Sequence, residues 1–176
     1  MQLKVEFKDF DEFKKILSNE VFMNVYKRSI KRTVTKFKTT TSKEVRKTYN
    51  IKASELKKAV TLKKEDVYSY KYTIKSPRIG LEKFGARQTK TGVSVRVRKD
   101  RGRKVIKGAF LAHDTNNRLR VFKREGKERL PIDRFFSISI PQMFNKEIIN
   151  KGFEDAKQTF EKEFKHNLDY YLGRLK

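Results

Sequence analysis

Twice along this 176-residue chain the spacing of apolar residues changes period, near residue 66 and again near residue 141. Before the first change, Phe13, Ile16, Leu17, Phe22, Val25, Ile30, Val34 and Phe37 share one broad stripe, the signature of an amphipathic helix. Between the two changes the period is two. Tyr68, Tyr70, Tyr72 and Ile74 fall on one face, and Val93, Val95 and Val97 alternate with Ser94, Arg96 and Arg98, as in half-buried strands. Beyond the second change, Met143, Ile149, Phe153, Ala156, Phe160, Phe164, Leu168, Tyr171 and Leu175 return mostly to three- and four-residue steps, with one longer step between the first two. This order predicts an α+β fold in which an antiparallel sheet of three to five strands is flanked by long N-terminal and C-terminal helices. It is expected to form a single domain over residues 1–176, with a helical part at 8–64, a β-rich core at 66–140 and a C-terminal helix at 141–176.

Local signals refine this outline. Residues 1–7 alternate Leu3, Val5 and Phe7 with charges and suit an edge strand or arm. Thr39, Thr40 and Thr41 are expected to weaken or bend the first helix. Residues 105–112 and 119–123 read as the strands after 93–98, and their connections are too short for crossover helices, so a meander is expected. Pro77 ends the tyrosine-rich strand. That tyrosine face reads as the core side of a strand, with base stacking beside lysines as the competing reading.

The chain carries 45 Lys and Arg against 21 Asp and Glu, a formal net charge of +24. Its 14 Phe and 7 Tyr are too many aromatics for a disordered basic tail. A folded protein with an anionic partner follows: nucleic acid, a membrane surface or an acidic protein surface. The excess is concentrated in residues 27–47, where Glu44 is the only acid, and in residues 83–107, where Asp100 is the only acid. Residues 145–176 are nearly balanced. Phosphate contacts need charge and reach, so the candidate contacts for DNA or an acidic partner are two groups. One is the basic hairpin around residues 99–104, with Arg96, Arg98, Lys99, Arg101, Arg103, Lys104 and Lys107, expected to protrude. The other is the helix face bearing Lys31, Arg32 and Lys36. Phe135, Phe136, Ile138, Ile140, Phe153, Phe160 and Phe164 offer more apolar surface than one small sheet covers, and are the candidate subunit interface.

Residues 42–64 hold a competing pattern. Residues 42–49 suit a short helix, 50–53 a turn, and 54–60 a second helix with Ser54 as N-cap, together resembling a helix-turn-helix. A free nucleic-acid-binding protein is the alternative function on this pattern. The second helix would present Glu55, Lys57 and Lys58, poor chemistry for reading base edges.

Cysteine is absent and the two histidines, His113 and His166, lack metal-ligand spacing. No Gly-x-Ser-x-Gly, P-loop or carboxylate cluster is present. The chain is therefore expected to be no enzyme and to need no cofactor or metal. With no membrane-length apolar run and no signal-peptide pattern, no membrane partner is expected.

Five short blocks carry a resemblance: Gly80 with Phe84, Gly92-Val93-Ser94-Val95-Arg96-Val97, Gly108-Ala109-Phe110-Leu111-Ala112, Arg129-Leu130-Pro131-Ile132, and Ser139-Ile140-Pro141-Gln142-Met143. In this order, between two long helices, they resemble the minor tail protein Z family of tailed phages and prophages. The resemblance implies a structural virion protein, a tail-completion or neck component at the head-proximal end of the tail. It implies a homo-oligomeric ring, of six subunits by that likeness, assembled in the host cytoplasm. It also implies other tail or neck proteins as partners, and the DNA end, held without sequence specificity. The lysine excess of the first helix departs from the family pattern and leaves DNA and a protein neighbour both open for that surface.

Overall fold

The structure, a computed structural model, describes residues 2–4, 19–66 and 69–173. It is α+β, and its contacts cluster into two compact units. The first comprises Met1–Lys43, Val60–Ile74 and Asn145–Lys176, and the second Glu44–Ala59 and Lys75–Phe144. Phe7, Phe13, Ile16, Leu17, Tyr68 and Leu175, all part of the sequence pattern, lie outside the described residues.

The first unit is built on two long helices, α1 (Asn19–Thr48, which continues into the second unit) and α4 (Lys146–Gly173). Strands β1 (Gln2–Lys4), β2 (Val60–Lys64) and β3 (Tyr70–Ile74) form an antiparallel sheet in the order β1-β3-β2. Phe22, Val25, Tyr26, Ile30 and Val34 of α1 meet Phe160 and Phe164 of α4 in one buried cluster, which Leu62 and Tyr70 of the sheet partly cover. Phe37 sits edge-on to Tyr72 at 5.2 Å and against Phe153 at 4.9 Å. The tyrosine face of β3 is thus core, and burial raises the Tyr72 phenol above its ordinary pKa, a rise that its hydrogen bond with Thr41 reduces.

The threonine run does not break α1. Thr39 and Thr41 donate their hydroxyls to the carbonyls of Thr35 and Phe37 one turn back, and Thr40 donates to Asp155 of α4 at 2.8 Å. Hydroxyls satisfied within the helix no longer compete with its backbone bonds. Residues 42–48 likewise continue α1, and a separate short helix there is not seen.

The second unit holds the remaining strands. Helix α2 (Ala53–Ala59) starts one residue before Ser54, so the expected N-cap lies inside it. Strand β4 (Arg78–Gly80) pairs with β11 (Phe136–Ser139). Strands β5 (Arg87–Thr89), β6 (Gly92–Val95) and β7 (Lys104–Lys107) form one three-stranded meander. Strands β8 (Ala109–His113), β9 (Leu119–Arg124) and β10 (Ile132–Arg134) form another. The antiparallel pairing is as expected, but among the described residues of the two units it is divided into four small sheets. The cause is visible at Gly108, whose φ of 73° turns the chain in the middle of what reads as a single strand at 105–112. Strand β6 also stops at Val95, and all four of its residues are buried, so it is not half-exposed.

The C-terminal helical pattern is broken once. A single turn, α3 (Ile140–Met143), is closed by Ser139 and Gln142 as a capping box, and α4 begins afresh where Asn145 Oδ1 accepts the Ile148 N–H at 2.9 Å. The longer step between Met143 and Ile149 marks this restart.

At Gly152, α4 packs tightly against α1. A Cβ there would lie 2.5 Å from Thr41 Cγ2 and 2.9 Å from Phe37 Cε2, and neither neighbour is free to move. Gly152→Ala is expected to cost about 1–3 kcal/mol by overpacking, despite the better helix propensity of alanine, about 1 kcal/mol. Gly173→Ala, with nothing within 4 Å, loses no stability. Urea unfolding of the two variants measures the difference.

Candidate functional site

The cations singled out by sequence lie on two surfaces, one in each unit. In the first unit, α1 turns Arg28, Lys31, Arg32, Thr35, Lys36 and Thr39 toward a groove of about 680 Å³ whose other wall is Thr159, Glu163 and Asn167 of α4. The alternation follows from helical spacing, since these positions face away from the Phe22 to Val34 core stripe. Arg32 is held by Glu163 at 2.7 Å. Asn167, buried, donates to Ser29 Oγ and to the Glu163 carbonyl. Arg28 lies over the rings of Tyr170 and Tyr171, 5.9 and 5.5 Å from their centroids. Lys31 and Lys36 are exposed and make no ion pair among the described residues.

In the second unit the loop between β6 and β7 does not protrude unsupported, contrary to expectation. Arg103 reaches back to donate to Ser94 Oγ at 2.9 Å, the Ser94 carbonyl at 2.7 Å and the Gly85 carbonyl at 2.6 Å. Arg96 donates to the carbonyls of Lys99 and Arg101 within the loop. Arg98 grips Asp100 through two nitrogens, at 2.9 and 2.6 Å, and lies 5.5 Å over the Tyr49 ring. The Lys99 N–H donates to the Thr48 carbonyl, and the Asn50 N–H to that of Val97. The hydrogen bond from Arg98 holds the Asp100 carboxyl below its ordinary pKa and raises that of Arg98. Guanidinium groups therefore do the work that apolar anchors would do in another loop. Lys99, Arg101, Lys104 and Lys107 remain exposed and form no ion pair among the described residues. Beneath them a cavity of about 390 Å³ is lined partly by Val95, Val97 and Ile138.

The apolar candidates separate as sharply. Ile140, Phe160 and Phe164 are buried, the latter two in the first unit's aromatic cluster, and this removes them from any free surface. Phe153 is half-buried against Phe37, and Phe135 and Ile138 are half-buried. Phe136 alone of the set is exposed, with the Arg134 guanidinium 4.6 Å above its ring. The helix-turn-helix pattern loses its first short helix to α1. In α2 Leu56 and Ala59 are buried, and Glu55 is tied to Lys58 and Lys83.

One network was not legible in the sequence. Glu82 Oε1 accepts from Arg120 Nη1 and Arg134 Nη2, both at 2.7 Å, and Arg120 Nε reaches Asp114 at 3.0 Å. The Glu82 side chain is only 7% exposed, and its carboxylate occupies the space that a side chain at Gly80 would fill, 2.3 Å from a Cβ there. The two-residue spacing of Gly80 and Glu82 was its only signal. Among the described residues no helix is long and apolar enough to cross a membrane, and no three acids or histidines converge as metal ligands.

A sequence-family model described as prophage minor tail protein Z matches residues 12–176. No curated protein and no solved structure matches.

Two variants test the loop. Arg103→Ala leaves Ser94 and Gly85 acceptors without donors and is expected to cost about 1–3 kcal/mol, whereas Arg101→Ala stays within about 0.5 kcal/mol. Denaturant midpoints compare them. Backbone N–H donation, chiefly from Arg118, and then Arg120, lower the Asp114 carboxyl below its ordinary pKa of 3.8. A lowered folded pKa adds stability that is complete above the unfolded value and lost as pH falls through the folded one. Asp114→Asn is therefore expected to flatten the acid limb of a thermal-stability profile below about pH 4 and to lower stability near neutrality.

Proposed function

Because the chain belongs to the prophage minor tail protein Z family, it is a structural protein of a phage tail, and from that premise we propose a finer place for it. It acts at the head-proximal end of the tail as a completion or neck component. It is repeated as a ring subunit among other tail and neck proteins, and the lysine face of α1 meets DNA without reading sequence. The observation that carries this reading is the division of labour among the cations. Arg32, Arg96, Arg98 and Arg103 are committed to carboxylates and carbonyls of the chain itself. The cations left outward on the two surfaces are mainly lysines: Lys31 and Lys36 in the groove, and Lys99, Lys104 and Lys107 with Arg101 on the loop.

Base discrimination favours forked donors aimed at base edges, above all Arg on guanine. A lysine is a mobile point charge that serves phosphates equally along any sequence. The α2 segment does not supply what the lysines lack, since its Glu55 is already engaged.

The test is a duplex titration over a range of salt. Two unrelated sequences are expected to bind with equal affinity at each salt concentration. Lys31→Gln with Lys36→Gln is expected to flatten the log–log salt slope by up to about one unit for each phosphate that is no longer neutralised. A tenfold sequence preference, or an unchanged slope, would overturn the DNA contact.

A further inference from the structure

On a surface dominated by cations, two carboxylates side by side with no cation between them form a local negative patch. Glu125 and Asp133 form such a pair. Asp133 of β10 stands opposite Lys123 of β9, and Glu125 lies two residues further along the same face, a diagonal neighbour across the ladder. Asp133 lies near enough to act on Glu125, by hydrogen bonding first and repulsion second, and this pushes the Glu125 carboxyl above its ordinary pKa. Lys123 does not reach either one: no cation comes within ion-pairing distance of them among the described residues.

The strand that carries Asp133 is also unfinished. β10 pairs with β9 alone, so its outer edge faces no strand among the described residues. Around it stand Leu130, 67% exposed, Ile132, 38%, and Phe136, 42%. An unpaired edge with apolar side chains is the kind of surface that a monomer normally blunts and that an assembly covers. What would cover this one must bring cations to Glu125 and Asp133 and apolar groups to Leu130 and Ile132.

The same unit presents such a segment elsewhere. The loop after β6 offers Lys99, Arg101 and Lys104 with no ion pair among the described residues, next to Val105, which is 48% exposed. Arg96, Arg98 and Arg103 hold the loop in shape, so its free cations are presented at little ordering cost. We infer that the β9–β10 corner, through Glu125, Asp133, Leu130 and Ile132, seats the residue 99–105 loop of a second copy of this chain. The loop and the corner are different patches of one molecule, so the contact is head-to-tail and repeats from copy to copy, closing into a ring if the rotation permits. This names a contact surface for the repeated-subunit reading and rests on it.

The absence of native cysteine makes the test clean. Full-length Asp133→Cys and Arg101→Cys variants, mixed and mildly oxidised, are expected to form a covalent dimer at least about tenfold faster than Asp133→Cys mixed with Lys64→Cys, as steering between opposite charges predicts. Reversal by Glu125→Lys with Asp133→Lys is expected to weaken self-association in sedimentation at least about tenfold. Mixing that variant with Arg101→Glu, Lys104→Glu protein is expected to restore it. Circular dichroism of each variant verifies that it folds. A 133–101 link no faster than the control overturns the inference, as does self-association indifferent to the reversal. If self-association persists through another surface, the subunit reading stands while this contact falls. If the reversed variant is missing from particles but no 133–101 link forms, the corner takes a basic segment of another tail protein, and self-contact is refuted. If the native chain is missing from otherwise complete particles, the subunit reading itself fails.

Discussion

Strands of three to six residues, in sheets of two or three, cannot hold a β region together by their ladders alone. The second unit meets this constraint with guanidinium groups. Arg103 joins the end of the β6–β7 loop to the carbonyls of Ser94 and Gly85, and Arg78 Nε donates to the Ser137 carbonyl between β4 and β11. Arg120 and Arg134, from two strands of one meander, converge on Glu82 in the turn after β4. A guanidinium carries five donors in a rigid fork, so one side chain can satisfy several loop carbonyls at once. A lysine in place of Arg103 or Arg120 would lack the fork that spans their several acceptors. Much of the positive charge between residues 78 and 134 is therefore a fastening, and only the remainder is available to a partner.

The first unit is held differently. Its two long helices bury an aromatic cluster, and the polar atoms caught in that interface find partners within it. Ser29 donates to the Val25 carbonyl and accepts from Asn167, while Thr33 and Thr41 bond one turn back. Small residues at the contact, Gly152 above all, set how near the helices come. Burying Phe160 and Phe164 there is what removes them from any role between subunits.

The features legible in the sequence were those written as periodicity. The helical stripe of residues 22–37, the C-terminal stripe and the antiparallel strands are where apolar spacing places them. What escaped depends on single residues acting against the pattern. Gly108 divides one apparent strand between two meanders through a left-handed turn. Asn145 restarts a helix that spacing alone would run on from Met143. Thr39 to Thr41 look like helix weakeners because the sequence does not disclose that each hydroxyl finds an acceptor. For the candidate surfaces, charge runs located the cations correctly but could not divide them. Arg96, Arg98, Arg103 and Lys104 read alike as charges, yet only the fold tells which are already bonded.

That division bears on how a repeated subunit can meet a helical ligand. On the proposed ring, each copy would present the same surface to a duplex whose phosphates stand at a different phase. Contacts of fixed geometry, such as an arginine fork on a base edge, could then be satisfied at one copy and strained at the next. Flexible point charges tolerate the mismatch, because a lysine gains nearly the same energy over a range of phosphate positions. On the two candidate surfaces the chain ties Arg32, Arg96, Arg98 and Arg103 to its own carboxylates and carbonyls, where geometry is constant from copy to copy, and leaves mainly lysines unbonded. The corner formed by Glu125 and Asp133 obeys the opposite requirement. Between identical copies the geometry repeats, so an unpaired carboxylate pair and an exposed strand edge can be matched to one partner loop. Fixed complementarity suits the contact between subunits, and loose charge suits the contact with what they enclose.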